Sequence, residues 1–184
     1  ENKFFDFVED FAKLKEKGAT RQEMILKLDE YENIWTLSKH NAKKVTRRAV
    51  KDNFGIVPSV QSWYPLPNTK PVQDHGVVEI MRGCPNGCRF CHAGIFYRPQ
   101  RAKSRELILE EIDHLVFECG YREVSLTSLS SADYPNISQL LDEVNSRYNG
   151  YNVSFQLPSL KVNSLGLDIL EKLSSVRRSG LTFA

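Results

Sequence analysis

Apolar residues recur at helical spacing from the start of the chain, at Phe4, Phe5, Val8, Phe11, Ala12 and Leu14. Thr20-Arg21-Gln22-Glu23 then reads as a capping box, with Met24, Ile25 and Leu28 as the apolar face behind it. The pattern predicts a helix hairpin over Asn2 to Glu30 whose apolar face has little to pack on within its own segment. From about Trp35 to Gly76 the periodicity fades and Pro58, Pro65, Pro67 and Pro71 interrupt the chain. A connection this long is expected to drape over a surface or to link domains. Within it a strand is expected over Lys44 to Val50. Its basic residues Lys44, Arg47 and Arg48, with Lys51, read as a solvated face or as a substrate-binding edge.

Beyond Gly76 strands and helices alternate. Val77 to Met81 reads as a strand and Gly83 to Lys103 as a long loop. Ser104 caps a helix with Leu107, Ile108, Ile112, Leu115 and Val116 on one face. Glu123 to Thr127 is the next strand, and Asn136 caps a helix bearing Ile137, Leu140, Leu141 and Val144. Asn152 to Leu157 is the third strand. Ser164 opens a helix with Leu167, Leu170 and Leu173, and Leu181 to Ala184 begins a fourth strand. Strands separated by helices of this length predict an α/β fold of parallel βαβ units. Three segments are expected: a helical one over 1–42, an extended linker with a strand over 43–76, and an α/β core over 77–184.

Composition adds bounds. The chain has 184 residues, 41% apolar and 26% charged, with a net charge of +2 and a pI near 8.4. These are ordinary globular values, and too mildly basic to predict nucleic-acid binding. No run approaches the ~18 apolar residues of a membrane span, and no signal segment opens the chain. The chain begins at Glu1 and ends where a strand starts, so it reads as a piece of a longer protein.

Four cysteines are present, and three of them lie within Cys84-Pro85-Asn86-Gly87-Cys88-Arg89-Phe90-Cys91. This usage fits a reducing cytoplasm better than a disulfide scaffold. Three thiolates hold three irons of a four-iron cluster and leave one iron open, whereas electron-transfer clusters usually take four cysteines. Three rivals have weaker support. Covalent haem through Cys88-x2-Cys91-His92 needs an exported protein and leaves Cys84 idle. A zinc site with His92 or Cys119 lacks a second ligand pair. A ferredoxin-like carrier lacks a fourth thiolate, because Cys119 falls on the apolar face of its helix. The array follows the first strand, the end at which parallel α/β folds gather their sites. Gly83, Pro85, Asn86 and Gly87 are turn residues. Arg82 and Arg89 stand beside the thiols or face solvent. His75 precedes the first strand, on the wrong end for catalysis, and His40 and His114 read as structural or exposed.

The array, with Phe90 as its aromatic, resembles the radical S-adenosylmethionine (radical SAM) superfamily. Val78 to Cys84, Cys91 to Pro99, Leu157 to Leu160 and Ser179 to Ala184 look like members with an upstream cobalamin-binding-like domain, a family of uncharacterised function. That likeness runs from about Val45 to the end. The chain itself holds no cobalamin-type D-x-H-x-x-G segment.

The resemblance implies the first half of a partial TIM-like barrel of about four strands. It implies a 4Fe–4S cluster on Cys84, Cys88 and Cys91, SAM on the open iron, and reductive cleavage to a 5′-deoxyadenosyl radical. Methyl transfer or rearrangement would follow on an unknown substrate, and the resemblance leaves open whether the full-length protein uses cobalamin. It also implies a flavodoxin- or ferredoxin-like electron donor. Phe90 would pack on the adenine, and Thr127, Ser128 and Ser130 would lie near the methionine amino group. Their loop departs from the family's glycine-glycine-glutamate form, and Asp133 reads as an acid there or as a turn residue. Gln156 and Ser159 point to the same mouth. Arg98, Arg101 and Lys103 would meet a carboxylate or an anionic substrate, or form a solvated loop. Phe96 and Tyr97 would stack on substrate, or read as loop-anchoring core. No catalytic residue is assigned. An unfinished barrel exposes its last strand, which predicts a homodimer through that edge. The competing class is a non-enzymatic zinc- or iron–sulfur-binding module.

Overall fold

The computed structural model describes residues 3–50, 53–56, 66–161 and 166–174. The chain divides into two units, residues 1–52 and 53–184.

The first unit is helical: α1 (Lys3–Glu16), α2 (Arg21–Asp29) and α3 (Leu37–Asn41). The capping box of α2 is complete, since the Thr20 N–H donates to Glu23 Oε2 at 2.7 Å and the Glu23 N–H to Thr20 Oγ1 at 3.3 Å. Tyr31 donates its hydroxyl proton to Asp10 at 2.7 Å and packs edge-on against Phe7, tying the end of the hairpin to α1. No residue of α2 is buried, and Phe4 and Phe5 are exposed. The strand expected over Lys44 to Val50 does not form. A basic extended run becomes a strand only by ladder pairing. Here the Arg47 N–H donates to the Glu32 carbonyl, and the described residues carry no strand ladder at this run. The sequence reading also missed α3, whose buried Lys39 donates to the carbonyls of Tyr31 and Ile34.

The second unit is the α/β part. Strands β1 (Gly76–Glu79), β4 (Glu123–Thr127) and β5 (Ser154–Gln156) form a parallel sheet in the order β1-β4-β5. The register sets Val78 beside Leu126 and Val124 beside Phe155. Side chains alternate across a sheet. Val78, Val124, Leu126 and Phe155 therefore share one face and join the core with Ile108, Ile112, Leu115, Leu140, Leu141 and Val144. These come from α5 (Arg105–Asp113), the π-helical turn His114–Glu118 that continues it, and α6 (Ile137–Arg147). The opposite face carries Glu79, Glu123, Ser125, Thr127, Ser154 and Gln156. The parallel α/β architecture is thus as expected, and Ser104 caps α5 by accepting from the Leu107 N–H.

Boundaries differ where a neighbour decides them. The single strand expected over Val77 to Met81 divides at Ile80. Its N–H donates to Thr127, while its carbonyl accepts from Lys103. Residues beyond it leave the parallel sheet as β2 (Met81–Arg82), antiparallel to β3 (Arg101–Ala102). The loop between holds a helical turn, α4 (Ala93–Phe96). Asn136 precedes α6 in a left-handed conformation (φ 55°) without a side-chain cap. Helix α7 (Leu167–Leu173) starts after Gly166. The expected cap Ser164, and the terminal strand Leu181 to Ala184 with its dimer edge, lie outside the described residues. No helix among the described residues is long and apolar enough to cross a membrane.

Candidate iron–sulfur and cofactor site

The cysteine array leaves the end of β2 through Gly83. A Cβ there would stand 2.6 Å from the Tyr97 carbonyl oxygen and 2.9 Å from that of Pro99, and φ is +85°. Only glycine permits both the close approach and the backbone. The two arms of the loop therefore touch directly above the β2–β3 pair. Across the loop, a Cβ on Gly94 would meet the Asn86 carbonyl oxygen at 2.7 Å. Arg98 Nε donates to the Gly94 carbonyl at 2.9 Å. Cys84, Cys88 and Cys91 are half-buried free thiols.

Asn86 links this loop to its surroundings. Its Nδ2 lies 2.5 Å from Asp133 Oδ2, 3.2 Å from Ser130 Oγ and 3.6 Å from Cys84 Sγ. Its Oδ1 accepts from Lys161 Nζ at 3.2 Å. Ser130 also donates to Asp133, at 2.6 Å, and its own N–H is held by Ser128 Oγ. Loops following β2, β4 and β5 thus meet at one amide.

A buried ion pair closes the base. Lys103 Nζ lies 2.8 and 2.7 Å from the two Glu111 oxygens, with both side chains almost fully buried. Tyr134 donates to the Lys103 carbonyl at 2.8 Å, and burial pushes its phenol pKa up. The Phe54 ring lies under the Arg82 guanidinium at 4.6 Å and near Arg101 and Lys103.

The sequence candidates take these places. Phe90 is exposed (85%) on the cysteine loop. Thr127 donates to the Val78 carbonyl, and Ser128 donates to Ser131. Gln156 donates to Glu123, which reaches it from the opposite end of β4 to the cysteine loop. Arg98 and Arg101 both bond loop carbonyls. Arg82 pairs with Glu79, and Arg89 is exposed. Ser159 has φ 59°. Two expectations are corrected. Lys103 is a buried partner of Glu111 rather than part of a solvated loop. Phe96 and Tyr97 are 46% and 41% exposed, stacking edge-on with each other rather than anchoring a core. Cys119 is half-buried at the end of the π-helical turn, and burial raises its pKa, which disfavours the reactive thiolate.

Sequence reasoning missed two tethers. Glu111 had a signal, because it falls inside the stripe Ile108, Ile112 and Leu115, where a carboxylate requires a partner. Asn86 had none beyond being a turn residue, and the sequence offers Asp133 as an acid of its loop or as a turn residue, with no sign of its bond to Asn86.

The family model of the radical SAM superfamily matches residues 78–183. The chain belongs to the radical SAM superfamily. This radical SAM chain is also 27% identical over 205 residues to a tRNA-2-methylthio-N(6)-dimethylallyladenosine synthase from Carboxydothermus hydrogenoformans, covering 97% of the chain and 46% of that protein. It therefore spans about half the length of the curated relative it matches. The superfamily generally uses a 4Fe–4S cluster and SAM, and neither match speaks for a cobalamin-binding domain.

Among the described residues no three Cys, His, Asp or Glu side chains stand together as a metal site. The donor set nevertheless suits a cluster in chemistry. Three half-buried thiols, none in a disulfide, share one short loop. The arms of that loop are fixed by Gly83, Gly94 and Asn86 rather than by the thiols, which leaves the thiols to turn toward a common centre.

Proposed function

We propose that this chain carries a 4Fe–4S cluster on Cys84, Cys88 and Cys91 and uses it for the reductive cleavage of SAM. The reading is carried by one observation: the loop of three half-buried free thiols meets the loops after β4 and β5 at Asn86. When bound, the cluster supplies an electron to the SAM sulfonium, releasing a 5′-deoxyadenosyl radical. The protein's residues do the rest. The thiols of Cys84, Cys88 and Cys91 hold three irons. The exposed ring of Phe90 is available to cover an adenine. Ser128 and Ser130 present polar groups beside the thiol loop, and Arg98 and Arg101 line its outgoing arm. Thr127 and Gln156 belong to the polar sheet face, which becomes the inner wall if the three strands are the first half of a partial TIM-like barrel. Preorganised donors on rigid strands are what such chemistry asks of a protein.

The relative's name concerns tRNA, and a net charge of +2 is by itself too mild to argue for nucleic-acid binding by this chain. An electron donor of the flavodoxin or ferredoxin kind completes the reading.

Anaerobic reconstitution followed by EPR of the dithionite-reduced chain, with and without SAM, tests it. The expected result is iron with acid-labile sulfide and a reduced-cluster signal that changes on adding SAM. Substituting Cys84, Cys88 and Cys91 together by alanine abolishes the signal. Stoichiometric zinc with no sulfide would replace this reading by the zinc-held module.

A further inference from the structure

Asn86 lies in the cysteine loop, ahead of the turn at residues 89–90, and its backbone does not account for its identity. The non-glycine residues with positive φ among those described are Lys43, Asn136, Asn152 and Ser159, and Asn86 is not one of them. No left-handed conformation calls for asparagine there. Its side chain does the distinguishing work. The amide nitrogen has two protons and three acceptors in range: Asp133 Oδ2 at 2.5 Å, Ser130 Oγ at 3.2 Å and Cys84 Sγ at 3.6 Å. The shortest bond is charge-assisted, the strong kind. The amide oxygen takes the Lys161 ammonium. A side chain that donates on one side and accepts on the other is needed to satisfy a carboxylate and an ammonium together, and asparagine has both functions.

Asp133 is correspondingly committed. Two donors, Asn86 and Ser130, converge on its Oδ2. The residue that the sequence offered as an acid or as a turn former serves here as the anchor for the cysteine loop.

We propose that Asn86 is a positioning residue: it ties the cysteine loop to the loops after β4 and β5, and its amide N–H donates to the Cys84 sulfur. The tether belongs to the polypeptide alone. The sulfur contact rests on the cluster reading above, since hydrogen bonds to cluster sulfurs stabilise the more negative, reduced state and raise the potential.

A swap separates the two roles. Asn86→Ala removes both. The double variant N86D/D133N reverses donor and acceptor between the two positions and keeps an acceptor for Lys161, but offers no N–H to Cys84. The first readout is amide hydrogen exchange of residues 83–91 in the cluster-free chain, followed by mass spectrometry. Asn86→Ala is expected to exchange about tenfold faster there, with its far-UV circular dichroism retained, and N86D/D133N to return toward wild type. The second is the midpoint potential of the reconstituted chain by EPR-monitored redox titration. Both variants are expected to shift negative by roughly a factor of ten in the reduction equilibrium, about 59 mV for one electron.

Unchanged exchange in Asn86→Ala, or fast exchange persisting in the swap, overturns the tether. A wild-type potential in the swap overturns the sulfur contact. A wild-type chain that takes up no cluster defeats the cluster reading and the sulfur contact with it, while the exchange experiment still decides the tether.

Discussion

Helices α2 and α5 have the same length and begin in the same way. Each has nine residues, and each is opened by a hydroxyl, Thr20 or Ser104, that accepts a backbone N–H three residues on. Helix α2 has the fuller cap, with Glu23 returning the bond to Thr20. Yet it buries none of its residues, whereas α5 buries Leu107, Ile108, Leu109, Glu111 and Ile112. Capping decides where a helix starts, and burial decides what the helix contributes to the fold. The comparison also separates the units. The first is joined by local contacts among half-buried residues, such as Tyr31 with Asp10 and Phe7, and the second by a continuous core on one face of its sheet.

The largest expected effect tests that core. Glu111→Ala leaves the Lys103 ammonium buried without its carboxylate and should lower stability by about 3–5 kcal/mol, read from the urea midpoint. The paired replacement Lys103→Met with Glu111→Leu should recover most of that loss. If the double variant is as unstable as the single, the pair does more than compensate its own burial. Next, Ile108→Ala in α5 should cost about 2–5 kcal/mol. Leu26→Ala, at an exposed position of α2, should stay within about 0.5 kcal/mol. Equal losses at the two sites would remove the contrast.

Smaller effects concern the cap itself. Thr20→Ala should cost about 1 kcal/mol, confined to α2 and visible as faster amide exchange in residues 21–25. The smallest follows pH. The Thr20 backbone N–H, and then its hydroxyl, hold the Glu23 pKa below the ordinary glutamate value. The carboxylate's contribution is therefore complete above that ordinary value, and is lost as pH falls through the lowered one. Exchange in the first turn of α2 should accelerate below about pH 4.3, and Thr20→Ala should weaken that dependence.

What could be read beforehand divides along similar lines. The strand Glu123 to Thr127 and the buried stripes of α5 and α6 were legible, because period and burial coincide there. The capping residues Thr20 and Ser104 were legible because caps act over three residues. Lys44 to Val50 misled, since β-branched and basic residues suit a strand but cannot supply its partner. Ile80 ends β1 because Lys103 claims its carbonyl, a contact between residues far apart in sequence. The site divides in the same manner. The three cysteines stood out by spacing, and Phe90 through the family resemblance. The hydrogen bond that Asn86 donates to Asp133 and the one it accepts from Lys161 arise only when three loops are brought to one end of the sheet, and no local pattern encodes them.

The neck at Gly83, where the two arms of the cysteine loop meet over β2 and β3, has a consequence for how such a loop can change. Joining the ends of a flexible segment costs entropy that grows only with the logarithm of its length, about 0.6 kcal/mol for each doubling. With the ends fixed by strand pairing and by a backbone contact that admits no side chain, added residues in the exposed arm would be inexpensive. An alanine at position 83 would force the two backbones apart. Variation in this part of the molecule should accordingly appear as insertions in the arm, with the glycine kept.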